Sequence, residues 1–445
     1  MNITLFGTGY VGLTLAVCLA QVGHHVYCTD VDTQRLDLLQ TGHCPFFEPG
    51  LEALLKSNLA AGRVHFTDSV VEAVGISQVI FIAVGTPAEE DGSADLRSVL
   101  AVARAIAMHA QGDKIVINKS TSPVGTAQRL KAMMKQLVRQ RGREHILEVL
   151  ANPEFLKEGS ALDDCMRPDR IIIGIDGTRG LDVVRSLYAP FSRNHEKLIV
   201  MDSRSAELAK YAANSMLATR VSFINEMANL AEHLGADIEM VRQGIGADTR
   251  IGHDFIYPGC GFGGSCFPKD ILALRTIARQ KGCRTELLDA VEAVNHRQKN
   301  RVFERISEHY RGDLHGKTFA VWGLSFKPDT DDMREAPSRV LLEALWSAGA
   351  QVRAFDPEAM EQAGRLYGGR ADLRLVESQE AALEGAHALV IMTEWRVFRA
   401  CNLSKVRQAL RDAVVFDGRN LFDPRQMLRE SLSYYPIGRP AVRPA

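Results

Sequence analysis

The chain has 445 residues, 46% hydrophobic and 24% charged, with 53 basic against 54 acidic side chains. That is room for two or three globular domains, and it leaves no electrostatic footprint for nucleic acid or an anionic membrane. Eight cysteines, at positions 18, 28, 44, 165, 260, 266, 283 and 401, form no CxxC pair, which argues against a metal site or a disulfide framework and for reduced thiols in a cytoplasm. Apolar runs such as Val79 to Val84 are too short to span a bilayer, and no basic segment precedes an apolar one at the N-terminus, so neither export nor membrane insertion is expected.

Residues 2 to 30 read as strand, tight turn, helix and strand: Ile3 to Phe6, Gly7-Thr-Gly9-Tyr-Val-Gly12, an apolar helix through Leu19, then His25 to Thr29. Gly7 permits the turn, Gly9 lets backbone reach a pyrophosphate, and Gly12 allows close packing. Asp30 closes the second strand, where a carboxylate accepts from ribose hydroxyls and repels a 2′-phosphate, so NAD is expected over NADP.

Val79 to Val84 ends in Gly85-Thr86-Pro87, and Lys114 to Asn118 runs into Lys119-Ser-Thr121-Ser-Pro-Val-Gly125. Ligands of open α/β sheets bind at the carboxyl ends of strands, which puts Thr86 and Thr121 on the cofactor side; the alternative is that each caps the next helix. Leu147 to Leu150 leads into Asn152-Pro153 and a segment in which Glu154, Lys157 and Glu158 are expected within one helical turn, as a substrate or catalytic cluster or a solvated face. Ile171 to Ile175 and Leu198 to Val200 complete a nucleotide-binding domain over residues 1–202.

From Ser203 an unbroken helical pattern runs to Gly235, with Asp202 or Ser203 as N-cap. Lys210 and Asn214 share a face of this helix, and Lys210 reads either as a surface lysine or, among Ala209, Ala212 and Ala213, as a partly buried ammonium.

The segment Gly261-Phe-Gly-Gly-Ser-Cys266-Phe-Pro-Lys-Asp270 sets one thiol between a glycine-rich loop and a helix start marked by Pro268. A thiol at the positive end of a helix, beside Lys269 and with Asp270 as a possible base, is expected to ionise more readily; a buried structural cysteine is the alternative. Gly261, Gly263 and Gly264 are expected to let backbone approach a ligand. A second long helix, Glu286 to Tyr310, closes a central helical region over residues 203–312, and two such helices need surface to bury against, as a homodimer provides.

A further α/β domain, residues 313–434, opens with Lys317-Thr-Phe-Ala-Val-Trp-Gly323; a second strand, Gln351 to Phe355, ends in Asp356, and Ala388 to Met392 and Val414 to Phe416 follow, the latter ending in Asp417-Gly418-Arg419. The glycine fingerprint is replaced by the charged loop Ser325 to Arg334, so a different nucleotide or phosphorylated ligand is expected, with Lys327 as its phosphate partner or as part of a surface ion-pair loop. The proline-containing tail 435–445 is expected to be poorly ordered.

An NAD site, a second nucleotide domain and an activated cysteine together point to oxidation through a covalent thiol adduct. The whole chain resembles the nucleotide-sugar 6-dehydrogenases, the UDP-glucose/GDP-mannose dehydrogenase family, in Gly7 to Gly12 with Asp30, Gly85 to Pro87, Ser120 to Gly125, Asn152 to Gly159, Lys210 to Asn214, Gly261 to Asp270 and Phe326 to Asp332. The resemblance implies two Rossmann-like doubly wound parallel-sheet domains joined by a long central helix, and the conversion of UDP-glucose to UDP-glucuronate with two NAD and one water, in a dimer. GDP-mannose or UDP-N-acetylmannosamine oxidation, or a catalytically silent NAD-sensing dimer, are the alternatives. By position, Cys266 matches the nucleophile, Lys210 and Asp270 acid/base and water-organising groups, Thr121 and Glu154 groups acting through an ordered water, and Asn214 an oxyanion partner. Val11, Asp30, Arg35, Thr86, Thr121, Glu158, Lys269 and Arg334 match NAD contacts. Phe155, Leu156, Lys157, Glu158, Lys210, Asn214, the loop Phe255-Ile256-Tyr257-Pro258-Gly259, Phe262, Gly263 and Lys327 match sugar-nucleotide contacts, and Arg250 an arginine that reaches the neighbouring subunit's substrate. Arg35 stands where many relatives have lysine, and the loop 255–259 differs from several members.

Overall fold

Short β-branched runs become the strands of two open sheets, each within its own structural unit. The computed structural model describes residues 1–192 and 196–444. One unit comprises Met1–Ala213 with Leu272–Lys281, the other Asn214–Ile271 with Gly282–Ala445.

The first unit holds β1 (Asn2–Phe6), β2 (His25–Thr29), β3 (Val64–Phe66), β4 (Val79–Ile82), β5 (Lys114–Asn118), β6 (Leu147–Ala151), β7 (Ile171–Gly174) and β8 (Leu198–Met201), in the order β3-β2-β1-β4-β5-β6-β7-β8. Every residue of β4, β5, β6 and β7 is buried, as strands covered by helices on both faces must be. The sheet is the expected doubly wound parallel one, with a single reversal: β7 meets β6 antiparallel, through Ala151 and Gly174, and pairs parallel with β8.

That reversal has a use. It returns the chain so that the helix Ser203–Leu234 starts beside the carboxyl end of β6. A Cβ on Gly174 would stand 2.6 Å from Ala206 Cβ and 2.7 Å from Ser203 Cα, so only glycine allows this approach. Asp202 caps the helix by accepting from Ser205 N at 2.9 Å, and Asp176 Oδ1 accepts from Ser203 N at 3.0 Å. One turn on, Glu207 accepts from Gly125 N at 2.5 Å and Ala127 N at 2.7 Å, tying the long helix to the start of Thr126–Gln140.

The second unit holds β9 (Thr318–Trp322), β10 (Gln351–Phe355), β11 (Leu373–Leu375), β12 (Ala388–Ile391), β13 (Val414–Asp417) and β14 (Ser433–Tyr435), all parallel in the order β11-β10-β9-β12-β13-β14. This is the strand order of a dinucleotide-binding fold. Ile224 and Ala228 of the long helix, and Val302 and Ile306 of Glu286–His309, bury against Phe319 and Val321.

The tail departs from its expected disorder. Ile437 is buried, Gly438 N donates to Glu232 Oε1 at 2.6 Å, Arg439 Nε donates to Asp237 at 2.9 Å, and Val442 bridges to Tyr434. Prolines lower the entropy lost on ordering, and these anchors suffice to hold the segment. Among the described residues no helix is long and apolar enough to cross a membrane.

Candidate active site

The turn after β1 has the geometry of a pyrophosphate cradle. Gly7 has φ +98°, a Cβ on Gly12 would lie 1.9 Å from Gly7 O, and the space over Gly9 is clear of protein within 4 Å. The open side of the turn therefore has room for a phosphate at the start of Tyr10–Gln21. Asp30 is fixed at the mouth: its Oδ2 accepts from Thr8 N at 2.7 Å and Thr8 Oγ1 at 2.8 Å, with Arg35 at 3.4 Å. Burial raises the Asp30 pKa, but the Thr8 and Asp32 donors and Arg35 outweigh it and hold the carboxyl below its ordinary range. Val11 lies on the same turn, Glu158 on the loop after β6, and Thr86 Oγ1 donates to Thr121 O at 2.8 Å, joining the loops after β4 and β5.

After β6 the chain does not form the expected helical turn: residues 152–158 are irregular, and the next helix is Ala161–Met166. The charges therefore diverge. Lys157 Nζ pairs with Asp164 at 2.6 Å, whereas Glu154 turns inward, accepting from Lys210 Nζ at 2.9 Å and Leu156 N at 2.7 Å. Both partners of the Glu154–Lys210 pair are buried, and Lys210 Nζ lies 5.3 Å from the Phe155 ring centroid. Burial raises the Glu154 pKa, yet Lys210, the Leu156 amide and Lys119 bring it below the usual carboxylate range. Lys119, which lines a cavity of about 70 Å³ with Asn152, Phe155, Leu156 and Cys165, donates to Asn152 Oδ1 at 3.3 Å; burial pushes its amine down to about 8.

In the second unit Cys266 immediately precedes the helix Phe267–Gln280, with Pro268 in its first turn and Asp270 N donating to Cys266 O at 2.9 Å. Cys266 Sγ stands 3.6 Å from Ser265 Oγ. Asp270, 1% exposed, accepts from Asn214 Nδ2 at 2.6 Å and Lys269 Nζ at 2.7 Å, so the carboxylate one turn from the thiol is held by an amide and an ammonium. The glycines before Cys266 are also packed against by other segments of the chain. A Cβ on Gly263 would meet Glu335 O at 2.4 Å and one on Gly264 the Phe326 ring at 2.8 Å, so their missing side chains let other protein segments close in. Gly264 N also donates to Arg334 O at 2.8 Å.

The loop 255–259 packs beside this segment. Phe255 adopts φ +59° and its ring lies 6.2 Å from Phe267, with Phe262 at 5.7 Å. Ile256, Pro258 and Gly259 are buried, Tyr257 is exposed under Arg242, and Gly259 is held by Asn225 and Gln298. Lys327 Nζ sits 5.6 Å from the Phe326 ring centroid. Like Arg35, Lys157, Lys210 and Lys269, two further predicted ligand cations pair with carboxylates of the chain: Arg334 with Asp332 at 2.7 Å, and the exposed Arg250 with Asp248 at 2.6 Å. Sequence reasoning passed over Arg419. It follows β13 at the ligand-bearing end of the sheet, donates to Met392 O at 3.0 Å and Phe326 O at 3.1 Å, and lies against Gly259. Its position after a strand was the available signal.

Three consecutive segments match models of one family: residues 1–192 the NAD binding domain of the UDP-glucose/GDP-mannose dehydrogenase family, 204–297 its central domain, and 320–424 its UDP binding domain. The chain belongs to the UDP-glucose/GDP-mannose dehydrogenase family. It is an NAD-dependent dehydrogenase with a nucleotide-sugar substrate. Among relatives in this family, the UDP-glucose 6-dehydrogenase of Pseudomonas aeruginosa is 50% identical over 99% of this chain and 98% of its own. Among solved structures, a UDP-glucose dehydrogenase from Pyrobaculum islandicum superposes with a TM-score of 0.89 at 37% identity, covering 98% of both chains. A UDP-D-ManNAc dehydrogenase from Pyrococcus horikoshii gives 0.85 at 26%, covering 99% of both.

Proposed function

We propose that the protein oxidises UDP-glucose to UDP-glucuronate, consuming two NAD and one water, with Cys266 as a covalent nucleophile. The observation that carries this reading is the thiol at the start of Phe267–Gln280, one turn from the buried Asp270–Asn214 pair. The half-identical relative supports the sugar nucleotide.

The Gly7–Gly12 turn, Asp30, Arg35, Thr86 and Glu158 would hold NAD, which would supply a hydride acceptor for each of the two oxidations. In the first, the C6 alcohol becomes an aldehyde, losing a hydride while its hydroxyl proton passes to the Asp270 carboxylate. The Cys266 thiolate adds to that carbon, forming a C–S bond and an oxyanion that the Lys210 ammonium and Asn214 amide hold. Loss of the second hydride leaves a thioester. Water, oriented by Thr121 and Glu154, attacks the carbonyl; the C–S bond breaks, the acid leaves, and a proton returns to sulfur through Lys210 or Asp270. Lys327, the 255–259 loop and Arg419 take the UDP.

Cys266→Ala is expected to lose at least about 10³-fold in acid production while retaining NADH binding. Wild-type protein should give two NADH per acid. A ratio of one, or full acid production by the alanine variant, removes the thioester route. The likeness to the ManNAc enzyme motivates assaying UDP-glucose, UDP-N-acetylmannosamine and GDP-mannose side by side.

The same reading makes the protein a cytoplasmic homodimer. None of the eight cysteines is joined in a disulfide. Met216, Phe223 and Leu230, seven residues apart along the long helix, are exposed, an apolar stripe suited to a second copy. Arg250 would then reach the partner's substrate, so mixing inactive Cys266→Ala with inactive Arg250→Ala should restore some activity. An active monomer in light scattering rejects the dimer.

A further inference from the structure

Glu48 carries none of the roles assigned above and sits in a loop between two helices, yet it is 5% exposed and its carboxylate is fully engaged. Oε2 accepts from the Tyr10 hydroxyl and from Gly159 N at 2.6 Å; Oε1 accepts from Ala161 N at 2.7 Å. Tyr10 OH also lies 3.1 Å from Gly159 N, closing a triangle of donors and acceptors. The Tyr10 ring packs at 5.1 Å from Phe46, and Gly50 abuts Leu162, so the whole loop 46–50 is seated on both segments that Glu48 joins.

What it joins decides its meaning. Tyr10 belongs to the glycine turn that forms the pyrophosphate cradle. Gly159 ends the loop that carries Glu154, Phe155 and Glu158, and Ala161 opens the next helix. Burial, the bond to Glu48 and the nearby Glu158 charge all push the Tyr10 pKa far above its ordinary value, so its hydroxyl stays protonated and remains a donor at every working pH. A buried carboxylate that accepts from one side chain and two backbone amides of a different loop is costly to dislodge, because any displacement strands a charge away from water.

We propose that Glu48 is a positioning residue that couples cofactor and sugar-nucleotide binding: through Tyr10 on one side and Gly159 and Ala161 on the other, it makes the order of the glycine turn and the order of the 154–159 loop one event. The proposal rests on the reading of these two segments as the NAD and substrate loops. A ligand that settles the turn fixes Tyr10, Tyr10 fixes Glu48, and Glu48 fixes the amide next to Glu158, so the second ligand meets a loop already in place.

The test uses NADH with UDP-glucose, a pair that cannot react. NADH affinity is measured by fluorescence with and without saturating UDP-glucose, for wild type, Tyr10→Phe and Glu48→Gln. Tyr10→Phe keeps the ring against Phe46 and removes only the hydroxyl, so it decides the matter should Glu48→Gln fail to fold. Wild type should bind NADH at least about fivefold more tightly when UDP-glucose is present. The variants, with unchanged circular dichroism, should lose most of that factor. A purely structural Glu48 would lower the melting temperature and leave the factor intact, and that result overturns the proposal, as does a wild type showing no such factor. Failure of wild type to form NADH from UDP-glucose and NAD is a separate outcome: it rejects the underlying assignment of substrate.

Discussion

Asp30 and Lys119 show how a single group's surroundings fix its behaviour. Asp30 holds Arg35 at 3.4 Å, so the guanidinium beside the expected ribose site is already committed to a carboxylate. Asp30→Ala should release it toward a 2′-phosphate and raise the NADP-to-NAD ratio of kcat/KM about tenfold or more, worth about 1.4 kcal/mol; an unchanged ratio counts against Asp30 as the discriminating residue. Lys119 has its amine pushed down to about 8 by burial, against 10.5 ordinarily. Between those values the unfolded chain holds a proton the folded one lacks, so the folded state gains stability as pH rises through that window. At pH 7 Lys119→Met should therefore stabilise the protein, on the order of 1 kcal/mol once water in the cavity is allowed for, and the gain should shrink toward pH 10. Melting curves at the two pH values check this, and a gain independent of pH refutes it. The sequence showed that Lys210 sat among alanines, and burial was one of two readings; its partner Glu154 was out of reach because the turn that aims it is set by Leu156 N.

At the level of elements, the regular parts were legible and the irregular ones were not. β4 and β5 stood out as unbroken β-branched runs, and the long helix was readable from periodicity and its Asp202 cap. β3, β11 and β14 were missed, since three residues carry too little pattern to separate a strand from a loop. The segment 152–158 was misjudged for a related reason: its charge spacing suits a helix, but Glu154, Lys157 and Gly159 each have a stronger partner elsewhere. The Lys210–Glu154 pair ties that segment to the long helix. Lys210→Met should cost about 3–5 kcal/mol by leaving a buried carboxylate unpaired, and adding Glu154→Gln should recover much of the loss. Urea unfolding of the two single variants and the double variant measures this; additive losses would show that the pair is not coupled.

Across the whole molecule the two sheets repeat one device and turn it to different ends. In each, a carboxylate after the second strand accepts from the amide following the glycine that ends the first: Asp30 from Thr8, and Asp356 from Leu324 at 2.7 Å. Asp356 goes further, taking Ser325 N, Glu358 N, Ala359 N and the Trp395 indole, and is fully buried. The acid proposed to meet a ribose in one domain is engaged in the other by four backbone amides and an indole. Asp356→Asn should accordingly cost about 1–3 kcal/mol in stability while leaving the KM for NAD unchanged; a raised KM would place it in cofactor binding.

The close approach at Gly174 bears on how sequence variants of this chain are to be interpreted. Gly174 is assigned no part in binding or chemistry. Its missing side chain is nonetheless what lets the first turn of the long helix lie against Ala151, and so fixes where Lys210 stands along that helix relative to Glu154. A methyl group there forces the helix outward, at about 1–3 kcal/mol of stability, and moves the ammonium from its carboxylate. On the catalytic role proposed for Lys210, an alanine at this position is expected to lower turnover while NADH binding persists, a lesion whose phenotype belongs to a residue 36 positions down the chain; unchanged kcat in Gly174→Ala counts against it.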